Sequence, residues 1–198
     1  MGRRLVRCFR FGDIMNIFYI DKDPKLCAEW AVDSHCIKMI LEAAQLLSTA
    51  HRVIDGTEYT DKTASGRNVK RWRLPDHRDT VLYSATHMNH PSAVWVRQSN
   101  NNYNWLYCYL YEHCHEYTYR YGKVHKVESS GLMAALQSPP HNIPIAPFTQ
   151  PTPAMDVRYI ISDDSVINYR NYYKHGKFHL HKWKKREMPY WLEDYMGD

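Results

Sequence analysis

The chain has 198 residues, enough for one domain with a real core, and no apolar run in it approaches the length needed to cross a bilayer. Its five cysteines, at 8, 27, 36, 108 and 114, are odd in number and form no C-x-x-C pair, which argues against a disulfide framework and for a reducing cytoplasm. A net charge of +5, twelve histidines, sixteen tyrosines and six tryptophans favour an anionic partner with flat faces, so nucleic acid, DNA above all, is the expected partner class.

Residues 1–14 (MGRRLVRCFRFGDI) read as a basic extension without the apolar segment of a secretion signal. Met15 is an alternative translation start, and 15–198 is expected to form a single, mainly α, helical domain. Asn16 to Ile20 is a short β-prone or extended piece. Asp23-Pro24 opens a short helix that runs to about Ala31, with Asp as the cap and Pro in the first turn.

The centre of the chain is 33–51, DSHCIKMILEAAQLLSTAH. Asp33 reads as its N-cap. At about 100° per residue its apolar side chains, Ile37 and Leu41 among them, cover most of the circumference, which marks a buried helix. His35, Lys38, Glu42, Gln45 and Thr49 fall on one narrow stripe. That stripe is either a solvent face with an ordinary Lys38–Glu42 pair, or the wall of a cleft in which an amine and a carboxylate do chemistry.

From Arg52 to Asp76 the pattern breaks into a long loop or β-hairpin flap carrying Arg67, Lys70, Arg71 and Arg73. Asp76 or Asp79 opens a shorter helix to about Ala85. A histidine-rich corner follows, His87-Met-Asn-His90-Pro91, and Ser92 is expected to cap a segment with Trp95 and Arg97. Asn102 to Tyr121 is a second long helix stopped by Gly122. A short helix spans about Gly131 to Gln137. Residues 139–153 hold six prolines and are expected to wrap the surface as a strap. Val157 to Ile161 suggests a strand, Asp163 or Asp164 caps a helix to about Tyr173, and the tail to Trp191 mixes Lys, His and Trp. Helix dominates: a compact helical bundle around 33–51, with a basic flap and a proline strap.

Several chemistries are disfavoured by what is missing. No G-x-G-x-x-G, phosphate-cradling loop or nucleophile elbow is present, and H-E-x-x-H is absent. No cofactor is implied. A metal-dependent hydrolase built on His35, Glu42, His87 and His90 stays a minority alternative, because imidazole and carboxylate suit zinc or iron.

Asp33-x-His35 is followed by Glu42 seven residues on, and the second long helix ends Glu116-x-x-x-Arg120-x-Gly122. With the tail motif YRNYYKHGK (169–177), these elements resemble the phage pyrimidine-dimer DNA glycosylases of the endonuclease V type. The resemblance covers roughly half of the chain. It implies a compact helical enzyme that flips a base from kinked DNA and cuts the N-glycosidic bond at damaged pyrimidines. In that family an amine attacks C1′, supported by the glutamate that aligns with Glu42. Its amine is the α-amino group at the chain start, whereas fifteen residues precede Asn16 here. Leu41 and Gln45 stand where the family has arginines.

The leading expectation is therefore a DNA glycosylase, with or without lyase activity, acting on a damaged or modified pyrimidine in the bacterial cytoplasm. Glu42 is the catalytic carboxylate, Lys38 the replacement amine, and His35 and Gln45 orient water or sugar. Asn89, His90, Trp95 and Tyr103 touch the base. Arg67, Lys70, Arg71, Arg97, Arg120 and the 182–186 cluster contact DNA. The alternative is a non-catalytic module binding nucleic acid or a host protein through the same basic and aromatic surface.

Overall fold

The structure is a computed structural model and describes residues 15–195; the basic extension expected over 1–14 lies outside the described residues. Among these the fold is mainly helical, with eight α-helices and one two-stranded sheet, and no helix is long and apolar enough to cross a membrane. Met15 to Ile20 forms a buried extended segment. α1 (Pro24–Trp30) starts as expected, with the Asp23 carboxylate accepting from Lys25 N and Pro24 in the first turn.

α2 (Asp33–Asp55) runs one turn beyond the apolar pattern. Its cap is Val32, not Asp33: the Asp33 carboxylate accepts instead from Lys184 N at 2.8 Å and from Arg120 at 3.0 Å. The expected flap is an antiparallel hairpin, β1 (Thr57–Lys62) with β2 (Asn68–Arg73). α3 (Arg78–Val81) is a single turn. α4 (Pro91–Arg97) is capped by His90, whose ring accepts from Ser92 N; Ser92 itself is buried in the first turn.

α5 (Asn100–Tyr121) begins where the Ser99 hydroxyl accepts from two backbone amides, and ends at Gly122, whose φ of 65° suits a residue without Cβ. Two short turns, α6 (Lys126–Ser129) and α7 (Leu132–Ala135), follow. Val157–Tyr159 is a 3-10 turn rather than a strand, because Asn168 on α8 (Ser165–Gly176) accepts from Ile161 N and Ser162 N and folds the chain back. Asp164 caps α8.

α2 packs along α5, α1 lies on α5, and α4 closes against both. Met39, Ile40, Leu46 and Leu47 meet Leu106, Tyr109 and Leu110 in one hydrophobic cluster that also takes Ile17 and Ile20. The proline strap is fixed rather than loose. Asp55 accepts from His141 N and Asn142 N, Asn100 N donates to the Pro144 carbonyl, and Asn102 exchanges two hydrogen bonds with Thr149.

Three buried guanidiniums tie these parts together. Arg120 donates to Glu116 (2.6 Å), to Asp33, and to the carbonyls of Ala28, Glu29 and Ala31, the acceptors left open at the end of α1. Arg52 makes five hydrogen bonds, four to backbone carbonyls of 72–83 and one to the Asp79 carboxylate. Arg78 holds Asp76, Asp55 and His51 Nδ1. Because Nδ1 accepts from Arg78, His51 carries its proton on Nε2 and donates it to the Tyr103 hydroxyl, which donates in turn to the Leu136 carbonyl.

Burial drives His51 down to about 4, helped by the Arg78 charge, and burial drives His113 to about 4 as well. His113 donates from Nδ1 to the Tyr109 carbonyl, and its Nε2 has no partner. Both rings are neutral in the native state and protonate in the unfolded chain below about 6.5. The unfolded state therefore binds more protons between pH 6.5 and 4, and stability falls as pH drops through that window. Thermal melts should lose several degrees between pH 7 and pH 5, above the range in which ordinary carboxylates titrate. His113→Phe should flatten that limb; an unchanged melting temperature from pH 7 to 5 in the parent protein contradicts the assignment.

Candidate active site around Glu42

The stripe on α2 is neither wholly a solvent face nor an open cleft wall. His35, Glu42 and Thr49 are buried, Lys38 and Gln45 are half-buried, and Ile37 and Leu41, expected in the core, are 42% exposed. The helix is rotated so that the line of His35, Glu42 and Thr49 faces the interior, because polar partners wait there. Thr49 exchanges hydrogen bonds with the backbone of Thr86.

The partner that meets Glu42 is the extended segment before α1. Asn16 N donates to Glu42 Oε2 at 2.8 Å, and Lys38 Nζ stands 3.1 Å from Oε1. Glu42 is 6% exposed while the Lys38 side chain is 41% exposed, so the pair straddles the boundary between core and solvent. Asn16 is pinned on its other sides. Its Oδ1 accepts from Ile17 N and Phe18 N, and its Nδ2 donates to the Ala154 carbonyl at 2.9 Å, where the strap arrives. Two residues on, Phe18 takes a φ of 50°, a conformation that costs a side-chain-bearing residue on the order of 1 kcal/mol or more and persists only where the surroundings enforce it.

What enforces it is a layer of rings. Phe18 stacks on His35 at 4.0 Å and lies near parallel to Tyr172 at 6.0 Å, with Lys177 Nζ 6.0 Å from its centroid. The His35 Nδ1 is 2.6 Å from the Tyr173 hydroxyl. Burial, reinforced by the Lys177 and Lys38 charges, holds His35 well below its ordinary pKa, and burial pushes the Tyr173 phenol up. His35 is therefore a neutral ring that orders Phe18 and Tyr173. A ring held neutral in this way is not an acid at neutral pH, and the nitrogens beside the Glu42 carboxylate are those of Asn16 and Lys38.

Sequence reasoning gave no role to Asn16 or Phe18, where the one available signal was a polar Asn at the head of an apolar run; Tyr173 and Lys177 fall within the YRNYYKHGK motif but were given no partner.

The other expected contacts do not gather here. Trp95 is buried and donates its indole N–H to the Thr149 carbonyl. Tyr103 is buried between His51 and Leu136, and Arg120 is fully buried in the α1–α2 junction. These three are corrected to structural roles: none has a surface to offer a base or phosphate. His90 caps α4, Asn89 is exposed in the turn before it, and Arg97 donates to the Met88 carbonyl with its Nη1 buried and without a hydrogen-bond partner. Arg67, Lys70 and Arg71 lie on the hairpin.

In the 182–186 cluster Arg186 binds Glu116 and Glu29, and Lys184 and Lys185 lie over Tyr121 and Tyr119. His35, Glu42, His87 and His90 do not assemble: among the described residues no three or more His, Cys, Asp or Glu side chains stand close enough to share a metal. Two surface hollows lie apart from Glu42. One of about 250 Å3 is between α1 and α5, and one of about 190 Å3 is beside the hairpin.

The contact with Asn16 makes Glu42 a structural acceptor as well as a candidate catalyst. Glu42→Gln keeps an oxygen for the amide and should melt within about 1 kcal/mol of the parent. Glu42→Ala strands a buried N–H and should cost about 2 kcal/mol. Equal melts for the two variants, read by denaturant titration, contradict the buried contact. Comparison with protein-family models, with curated proteins and with solved structures returned no match for this chain.

Proposed function

We propose that the chain is a DNA-acting enzyme that releases a damaged or modified pyrimidine by cutting its N-glycosidic bond, with Glu42 as the carboxylate at the reacting sugar. The observation that carries this reading is the pair of nitrogens on Glu42: the Asn16 backbone nitrogen at 2.8 Å and the Lys38 amine at 3.1 Å. In the glycosylases the chain resembles, the attacking amine is the α-amino group at the chain start, beside the glutamate that aligns with Glu42. Here the nitrogen that approaches that glutamate along the chain is Asn16's, and Lys38 supplies a primary amine on the solvent side. A compact single-domain bundle around α2 would serve as the rigid frame for this pair.

The chemistry follows from the pairing. A carboxylate can take a proton from an adjacent ammonium and free its lone pair. The nitrogen then bonds to C1′ as the C1′–base bond breaks, and the leaving base takes up a proton. The same negative charge steadies the positive charge that builds on the sugar ring. With a water molecule in place of the amine, the carboxylate would accept the water's proton and the product would be a plain abasic site.

A second reading, a binding module without turnover, draws support from the exposed basic hairpin, and it predicts salt-dependent DNA binding with no product. Cleavage of the glycosidic bond in an ultraviolet-irradiated duplex, read as abasic-sugar formation because a dimerised pyrimidine stays tethered to its neighbour, separates the two. The parent protein should form abasic sugar, and Glu42→Gln should lower the rate by a factor of about 10² or more while leaving duplex binding in place. Undiminished cleavage by Glu42→Gln removes the carboxylate from the reaction. Binding without cleavage by the parent favours the module.

A further inference from the structure

The β1–β2 hairpin is the element least used by the molecule's own packing. All six residues of β1 are exposed, and on β2 only Trp72 is buried. It is nevertheless held firmly at both ends. At its foot Arg52 donates to the Trp72 carbonyl, and the Asp79 carboxylate accepts from Leu74 N at 2.9 Å. At its tip Thr63 N donates to the Arg67 carbonyl and Gly66 N to the Thr63 carbonyl, both at 2.8 Å, with Gly66 at a φ of 78°.

The register divides the ribbon into two unlike faces. Tyr59 stands opposite Arg71, Thr57 opposite Arg73 and Asp61 opposite Val69, so these six share one side. There the Arg73 guanidinium lies 5.1 Å from the centre of the Tyr59 ring. The other side carries Glu58, Trp72, Thr60, Lys70, Lys62 and Asn68, and there Lys70 Nζ stands 2.8 Å from the Glu58 carboxylate in an exposed ion pair. The first face carries two guanidiniums and an aromatic ring against one carboxylate, Asp61, near the tip, and its Tyr59 and Arg71 line the 190 Å3 hollow with Trp72, Arg52, Asp79, Ser84 and Ala85.

We propose that this ribbon is an arm that lies in a groove of duplex DNA, with Arg71, Arg73 and Tyr59 turned to the nucleic acid and Lys70 turned away. The inference rests on the DNA-acting reading above and assigns the mode of contact. Strands of six residues reach about 20 Å. The major groove, about 12 Å wide, admits a two-stranded ribbon. Two guanidiniums on one face can each fork onto phosphate oxygens and can also pair with base edges. Fixing the ribbon at foot and tip in the free protein removes most of the ordering cost of docking it. Lys62 and Arg67 add cationic charge at the tip.

The test uses the full chain and a fluorescein-labelled 20-base-pair duplex, with polarisation read across a series of salt concentrations. The Arg71→Ala/Arg73→Ala double variant should bind about tenfold or more weakly, and the slope of log affinity against log salt should shrink by about 2. The Glu58→Gln/Lys70→Met pair of changes on the other face keeps the ribbon's net charge and should stay within about twofold of the parent. Melting curves check that both variants fold. Parent-like affinity and slope in the arginine double variant overturn the arm, as does an equal loss from the Glu58→Gln/Lys70→Met protein. An arginine double variant that changes sedimenting mass with duplex affinity intact also overturns it, in favour of contact between copies of the chain. Binding and turnover are read separately. Ribbon-dependent binding without glycosidic cleavage upholds the arm and defeats the glycosylase reading, and glycosidic cleavage with ribbon-independent binding does the opposite.

Discussion

A carboxylate sunk into the packed side of a helix needs donors, since an unmet buried charge costs several kcal/mol. Glu42 has a backbone amide on one oxygen and an ammonium on the other. The amide comes from a segment whose Ile17, Phe18 and Ile20 also pack into the core beside α2. That contact ties the segment before α1 to α2, with Asn16 also held on the strap at Ala154 and Phe18 held in its left-handed conformation by the rings of His35 and Tyr172. Most of the geometry near the site follows from it.

The rest of the frame is fixed by guanidiniums rather than by apolar contact alone. Arg120, Arg52 and Arg78 each collect carbonyls and carboxylates from segments far apart in the chain. A fan of five planar donors suits this task, because one side chain can satisfy several open backbone acceptors at once. Arg120 closes the end of α1 and start of α2, so the N-terminal half of α2, where Lys38 and Glu42 sit, is anchored at its base. Arg52 and Arg78 anchor the other end, together with the foot of the hairpin. The candidate site and the ribbon are thus held at the two ends of one rigid helix. Such a frame suits chemistry that needs a side chain placed to within a fraction of an ångström.

Local signals in the sequence carried the helix ends where the chemistry is local: Asp23 with Pro24, Gly122 and Asp164 each act within a few residues of their own position. The two long helices and the hairpin were legible for the same reason. The polar residues were harder to read. Arg120, Trp95 and Tyr103 look like surface contacts by residue type, yet each is buried because its partner arrives from elsewhere: Asp33, Thr149 and Leu136. No periodicity reports such long-range pairing. The same limit hid Asn16, whose partners are Glu42 and Ala154, and misplaced Ile37 and Leu41, since a helix's rotation depends on which neighbour supplies donors to its polar side. Ser92 lost its capping role because the helix starts before it, at Pro91, with the His90 ring accepting from the Ser92 amide itself.

The account turns on which nitrogen beside Glu42 can bond to a sugar carbon. The most direct measurement is reductive trapping with borohydride on abasic-site DNA, followed by mass mapping of the linked residue. In the full chain the adduct should fall on Lys38; in a protein whose first residue is Asn16 it should fall on the new α-amino group, and Lys38→Met should then leave trapping in place. An absent adduct in both proteins, or one mapping to Lys182, Lys184 or Lys185 beside Asp33 at the start of α2, contradicts the assignment of the amine.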